Sequence, residues 1–512
     1  MRFASVPHGE LPGVSALFAA YLSSFDRAAR FYRHDPFSLN GWLEAAGEAR
    51  ASHGAPRPEV VEALRPVNPQ SASLERLAEP RTVAVVTGQQ AGLFGGPAYT
   101  LYKALTAVAA ARRLEEAGQP AVPVFWVASE DHDLDEVSHA HVFTPQMRPV
   151  RLDAGAVEGR GRPVGAIAIP QPPVAQLAEA LRGFLHADDV LAVVQDCYRP
   201  GRTFSEAFRQ LLAVVLRPFG VVFVDPLEPR LRRLMAPLLE KAWRKKEALG
   251  EALAARRQEL EQAGFHAQVE VRGGADLFFV LDNGARRRAG AQAAVEDASQ
   301  WSPNALLRPV AQDWLLPTAV LVGGPAEVAY LAQSEVLYAR LLGRMPAVAP
   351  RAAFTLLDER SRRLMERFGL TLADCLQGEE ALLERVAARL APQALLKRIE
   401  EAAGEIGGRV GALRADLERF DPTLGEAMRR SGARIAYQME KMRRKTARAA
   451  LRRSAEVEQQ TRHAFRLASP ERKLQERYYS FLPFLARHGM QLAGELLGAI
   501  DPFQPAHEVL VP

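Results

Sequence analysis

The chain has 512 residues, 48% of them hydrophobic and 24% charged, which suits about three packed domains and excludes long disorder. Two distant cysteines, Cys197 and Cys375, exclude a disulfide framework and any Cys-x-x-Cys site, and with no apolar leader or 18-residue uncharged apolar stretch they point to a cytoplasmic protein with no membrane partner. The slight basic balance, 65 Lys+Arg against 60 Asp+Glu, is local: residues 429–477 hold 15 basic residues and five acids, so the rest is mildly acidic.

Residues 1–80 form an Ala-, Pro- and Arg-rich lead-in that includes FYRHDPFSLNGW. Thr82–Thr87 has the length and apolarity of a buried strand. A loop with Gly88, Gly92, Gly95 and Gly96 follows it, then a helix over 98–117 ended by Gly118, then a second buried strand, Val122–Ala128. Strands apolar on both faces and joined by a helix predict a parallel sheet with a right-handed crossover. Residues 140–310 are less regular, with a Pro-rich stretch at 169–173, a strand at Val221–Val224 and a hairpin pairing Gln268–Val271 with Leu277–Leu281. The α/β pattern resumes at Ala319–Val322, Gly323-Gly324-Pro325 and a helix to about Leu342, with Ala347–Pro350 as a further short strand.

From Leu395 to Phe420 the apolar residues Ile399, Ala402, Ile406, Val410, Leu413 and Leu417 recur every three or four positions, the spacing of a coiled-coil seam. Asp421-Pro422 breaks that helix, and Leu424, Met428, Ile435, Met439 and Met442 start another. The expectation is an α/β, doubly wound core interrupted by connecting insertions, plus an α-helical coiled-coil domain. Its parts are 1–139 (lead-in and first half of the core), 140–310 (connecting segments), 311–379 (second half), 380–470 (antiparallel coiled-coil arm) and 471–512 (a tail packing on the core). The Arg run on the arm is either a solvated helix face or a surface for a phosphate-bearing ligand; few aromatics interleave it, so no nucleic-acid partner is expected.

In an open parallel sheet the ligand crevice lies beyond the carboxyl ends of the strands. Three polar clusters fall there. Thr87, Gly88, Gln89, Gln90, Gly92, Gly95 and Gly96, with Tyr99 and Lys103 in the next helix, form either an anion cradle or a tight turn; the spacing matches neither a dinucleotide fingerprint nor a phosphate loop. Glu130, Asp131, His132 and Asp133 follow the second strand. They are either acids in a helix first turn or a catalytic group, with a general base or carboxylates beside Mg²⁺. His139 and His141 lack the register of a zinc motif, so no zinc and no protein metal-ligand set is expected. Gly323, Gly324, Glu327 and Tyr330 repeat the strand-turn-helix pattern, with Asn304 and Arg308 upstream as side-chain donors. Cys197 and Cys375 read as inert fillers.

Four stretches, TGQQAGLFGGPAYTLYKA (87–104), VPVFWVASEDHDLDEVSHAHVF (122–143), SPNALLRPVAQDWLLPTAVLVGGPAEVAYLAQ (302–333) and LQERYYSFLPFLARHG (474–489), resemble the BshC family, the cysteine ligases of bacillithiol biosynthesis. The resemblance implies a Rossmann-like core with connecting segments and a coiled coil that pairs two subunits into a homodimer. It also implies the last step of bacillithiol formation, in which cysteine is joined to the amino group of glucosaminyl malate. Amide formation from a free carboxylate is uphill in water, so ATP, with Mg²⁺ as companion, is the expected activator through an acyl-adenylate or an acyl-phosphate. On that reading the 87–97 loop holds an anion, residues 130–133 are catalytic, and Tyr99, Lys103, Asn304, Arg308, Glu327 and Tyr330 complete the pocket. The mycothiol counterpart of this reaction uses His-Ile-Gly-His, a Lys-Met-Ser-Lys-Ser loop and zinc; this chain has none of the three motifs. Two other readings stay open: a non-catalytic nucleotide-binding or assembly protein, and another nucleotidyl-transfer enzyme related to class I synthetases.

Overall fold

The computed structural model of the protein describes residues 2–51 and 54–512. They divide into two units, one running to Thr355 and taking up Gln475–Leu510, the other Leu356–Leu474. In chain order the strands are β1 (Arg2–Val6), β2 (Val83–Gln89), β3 (Ala121–Val127), β4 (His139–Phe143), β5 (Pro149–Asp153), β6 (Val222–Val224), β7 (Phe278–Asp282), β8 (Ala285–Arg288), β9 (Trp301–Pro303), β10 (Thr318–Gly323), β11 (Ala347–Pro350), β12 (Ala353–Leu356) and β13 (His507–Leu510).

The core sheet has the order β11-β10-β2-β3-β6 and is parallel throughout. The chain builds β2, β3 and β6 toward one edge, then returns to lay β10 and β11 on the other side of β2. The winding therefore reverses between β2 and β10, where a crevice opens beyond the strand ends. Both faces are covered. Val83 and Val85 enter a layer with Trp42, Ala110 and Leu114, whereas Ala84 and Val86 enter one with Leu231, Leu307 and Leu331. This period-2 division explains why β3 is buried at every position and reads as a continuous apolar run.

The connecting segment supplies β6 to the core sheet, and the lead-in packs firmly onto the core: Trp42 is fully buried, and the Tyr32 hydroxyl donates to the Val328 carbonyl at 2.7 Å. The expected hairpin is displaced along the chain. β7 pairs with β8 on one side and β9 on the other, while the amides of Gln268 and Val269 donate to Gln333 Oε1 instead of to a strand. The turn is made by Asn283-Gly284, both with positive φ, as a two-residue hairpin turn requires. β1, β13 and β12 form a small sheet that joins the two ends of the chain.

The second unit is helical. Gln393–Phe420 and Pro422–Arg452 run as two long helices folded back on each other, with Glu379–Leu390 and Ala455–Ala468 beside their base. Asp421 caps the second long helix by accepting from the Thr423 amide at 2.7 Å, with Pro422 at its first turn. Arg429 and Arg430 pair with Glu426, and Arg443 and Arg444 pair with Glu440, so much of the basic run is engaged along its own helix. Among the described residues no helix is long and apolar enough to cross a membrane.

The loop after β2 is shaped by close packing. Gly95 has φ +82°, and a Cβ placed there would lie 2.4 Å from the Phe481 ring. Gly95→Ala is therefore expected to destabilise the first unit by at least ~2 kcal/mol, from left-handed strain and overpacking together; urea unfolding against the wild type measures it.

Candidate functional site

A cleft of about 380 Å³ opens at the β2/β10 switch point. Its floor is the carboxyl end of β2 with Gln90, and one wall is the first turn of the Pro325–Leu341 helix. A second lobe of about 260 Å³ lies beyond the carboxyl end of β3, lined by Glu130, His132, Phe279, Arg286 and Asn304 among others. Trp126, Asp131 and Arg308 line both lobes.

Lys103 is buried, and its three N–H groups are all used. They go to the Gly88 carbonyl at 2.9 Å, to Gln89 Oε1 at 2.9 Å and to Glu327. Burial lowers the pKa of this lysine despite Glu327. Glu327 Oε2 also accepts the Gly324 amide at 2.7 Å, capping its own helix. Lys103 and Glu327 thus act as a strut between the turn after β2 and the turn after β10. Thr87 adds a hydrogen bond to the Val322 carbonyl at 3.0 Å, and the Gly323 carbonyl accepts the Arg351 amide at 2.9 Å.

Two carboxylates share one donor. Gln90 Nε2 lies 2.7 Å from Asp131 Oδ2 and 2.7 Å from Glu136 Oε2. Burial raises the Asp131 carboxyl, but hydrogen bonds from Gln90 and the His132 amide, with Arg286 and Arg308 nearby, outweigh it and hold the pKa low. Glu136 goes the other way: burial raises it, Gln90 offsets part, and Asp131 and Asp133 push it further up. The two carboxylates that share this donor are thus moved in opposite directions.

Of the cationic groups on the cleft, Arg308 makes one hydrogen bond, 3.4 Å to the Tyr330 hydroxyl, and stays charged despite burial because Tyr330, Glu327 and Asp131 surround it. Arg477 stands exposed at the rim with no hydrogen bond or ion pair among the described residues. Arg351 is largely spent on Glu476 and on the Ala352 carbonyl. Burial pushes the Tyr99 and Tyr330 hydroxyls up to about 12, so both remain protonated. Gln89 Nε2 donates to Tyr99 at 3.2 Å.

The structure separates the expected site residues. Thr87, Gly88, Gln89, Gln90, Tyr99, Lys103, Asp131, Arg308, Gly324, Glu327 and Tyr330 line the first lobe; Glu130, Asp131, His132, Asn304 and Arg308 line the second. Gly92, Gly95, Gly96 and Gly323 line neither, and at the start of the helix after the first three the Ala98 amide donates to the Tyr479 carbonyl at 2.7 Å. Asp133 caps the short Leu134–Val137 helix by accepting the Glu136 amide at 3.1 Å. Asn304 accepts the amides of Leu306 and Leu307, at 2.9 and 3.0 Å. Glu130 pairs with Arg232. Arg286 donates to His132 Nδ1 at 3.1 Å; an arginine can only donate, so Nδ1 accepts and the ring proton sits on Nε2. Cys197 and Cys375 are buried, which pushes their thiols up to about 11 and about 12. Among the described residues no group of three or more His, Cys, Asp and Glu side chains is arranged to hold a metal ion.

Glu136, Arg286, Arg351 and Arg477 escaped sequence reading. Glu136 was within reach of it, one helical turn past Asp133, whereas the three arginines come from segments that only the fold brings together.

A doubly wound Rossmann-like unit with a charged cleft at its switch point, followed in sequence by a helical hairpin, defines the class of protein. Residues 1–352 match the family model for the N-terminal Rossmann-like domain of bacillithiol biosynthesis BshC, and 354–511 match that for its C-terminal coiled-coil domain. The chain belongs to the BshC family. Relatives named "Putative cysteine ligase BshC" include those of Solibacter usitatus (44% identical, all of both chains), Koribacter versatilis (34%, 99% of each) and Salinibacter ruber (32%, 98% of this chain and 97% of the relative).

Arg351 and Glu476 are both buried, joined by two hydrogen bonds of 2.6 and 2.9 Å. Removing one member leaves an uncompensated charge, so Glu476→Ala is expected to cost ~3–5 kcal/mol in urea unfolding. The Arg351→Met/Glu476→Met pair should recover part of that loss.

Proposed function

We propose that the chain is a ligase of bacillithiol biosynthesis that joins the carboxyl group of cysteine to the amino group of glucosaminyl malate, with ATP as activator. The observation that carries this reading is the pairing, within one cleft, of Asp131 and Glu136 on a common donor with the guanidiniums of Arg308, which spends a single bond on Tyr330, and of Arg477. Amide ligation needs both halves: cations for a phosphorylated carboxyl and its leaving group, and a carboxylate for the proton that the attacking amine must lose.

The donor set suits a polyphosphate. Arg308, Arg477 and the first turn of the Pro325–Leu341 helix face the first lobe, and magnesium would arrive with the nucleotide. ATP supplies the driving force by turning a carboxylate oxygen into a phosphorylated leaving group. The residues of the chain do the rest. Arg308, at the wall between the lobes, neutralises charge growing on the acyl oxygen. Asp131, kept ionised, orients the incoming neutral amine by accepting one of its N–H groups. Glu136 accepts the proton as the C–N bond forms and the bond to the leaving oxygen breaks. Tyr99 and Tyr330, still protonated, can donate to phosphate or sugar oxygens. The coiled coil is proposed to pair two copies, since Leu413, Phe420, Leu424, Ile435, Tyr437 and Met442 leave apolar surface on the hairpin.

A deletion strain should lack bacillithiol and accumulate glucosaminyl malate, and the wild-type gene should restore the thiol; a normal thiol profile in the deletion would sink the reading. Glu136→Gln should lower kcat by roughly 10²–10⁴-fold, the usual weight of a general base. The pH profile gives a finer check. Glu136 must be ionised to act, so activity falls as pH drops through its raised pKa. Asp133→Asn keeps the helix cap but removes a negative neighbour, so the acid limb of kcat/KM should move to lower pH by roughly a few tenths of a unit.

A further inference from the structure

The second lobe contains polar groups that the reaction above leaves unused. Glu130, 3% exposed, gives Oε1 to Arg232, but its Oε2 is buried with no hydrogen-bond partner. An orphaned buried acceptor of this kind costs about 1–3 kcal/mol, and more when charged, unless a donor from a ligand meets it. Trp126 Nε1, in the wall shared by the lobes, is likewise buried without an acceptor. Arg308, in the same wall, has N–H groups to spare beyond its single bond to Tyr330.

The remaining surface is rigid and partly apolar. The Arg286 guanidinium lies 3.8 Å from the centroid of the Phe279 ring. It is fixed there by donating to Ser302 Oγ at 3.0 Å, His132 Nδ1 at 3.1 Å and the Pro303 carbonyl at 2.8 Å. Phe279 and Val269 provide the apolar lining. The lobe therefore presents one buried anionic acceptor that needs a donor, a guanidinium and an indole that need an acceptor, and an aromatic face between them. At about 260 Å³ it has room for a small molecule carrying both kinds of group.

We propose that the second lobe is the amino-acid subsite of the ligase reading, on which this assignment rests: it holds cysteine as a zwitterion, the ammonium on Glu130 and the carboxylate on Arg308. The side chain then lies along Phe279 and Val269, where a thiol gains sulfur–aromatic contact without a metal. The direction of binding matters for the reaction. Arg308 belongs to both lobes, so a carboxylate held there faces the lobe proposed for the phosphates, while the α-ammonium, which must not react, is turned away and tied down.

The test uses the full chain under reducing conditions, with and without a non-hydrolysable ATP analogue. L-Cysteine, 3-mercaptopropionate (no ammonium) and cysteamine (no carboxylate) are titrated by calorimetry. Wild-type protein should bind each analogue at least about tenfold more weakly than cysteine, the weight of one charge-assisted contact. Glu130→Gln should weaken cysteine by a similar factor and leave 3-mercaptopropionate unchanged, a selectivity that general loosening would not produce. Arg308→Gln should weaken cysteine and spare cysteamine. Wild-type protein that binds 3-mercaptopropionate as tightly as cysteine, or fails to bind cysteine, overturns the assignment without recourse to any variant. Those outcomes leave the ligase reading to the thiol profile of the deletion strain; if that profile is normal while the zwitterion series holds, the lobe is an amino-acid site serving a different reaction.

Discussion

A buried ammonium sets the width of the cleft. Lys103 cannot leave water without a full set of acceptors, and it finds them in the Gly88 carbonyl, the Gln89 side chain and Glu327. The first two belong to the end of β2 and the third to the helix after β10, so satisfying one charge fixes two turns that lie more than 200 residues apart in sequence. Glu327 cannot swing away, because it also caps its own helix through the Gly324 amide. Arg351 and Glu476 repeat the device one layer further out, tying the turn after β11 to the C-terminal segment. Buried pairs of this kind contribute little net stability and much specificity of position.

With the scaffold charges spent on one another, the groups left over mark the chemistry. Lys103 and Glu327, which the sequence offers as pocket residues, line the first lobe and are bonded to each other, to the Gly88 carbonyl, to Gln89 and to the Gly324 amide. Arg308 looks like one donor among several and is the one placed between the lobes with bonds to spare. The same accounting separates the acids. Asp133 is committed to a helix cap, whereas Asp131 and Glu136 compete for a single amide and are driven to opposite protonation behaviour.

Much of the architecture could be read from residue pattern alone. β2, β3, β10 and β11 announce themselves as apolar runs of strand length, β2 and β10 running into glycines, and the seam from Leu395 to Phe420 announces the long helix. The displaced hairpin had a local signal too, Asn283-Gly284, which outweighs the alternating Gln-Val-Glu-Val pattern at 268–271 because it supplies two left-handed residues in succession. The pairing of β1 with β13 had none: strands at opposite ends of a chain carry no local mark of each other.

By itself the amino-acid sequence determined the α/β class, the parallel sheet, the helical hairpin, the concentration of excess positive charge in residues 429–477 and the family, because these depend on periodicity, composition and linear motif. Tertiary structure alone decided which charged residues face the cleft and which are consumed in holding it. That choice turns on whether each buried N–H and carboxylate oxygen finds a partner, and the partners of Lys103, Glu130, Asp131 and Arg351 come from segments that meet only when the sheet is wound.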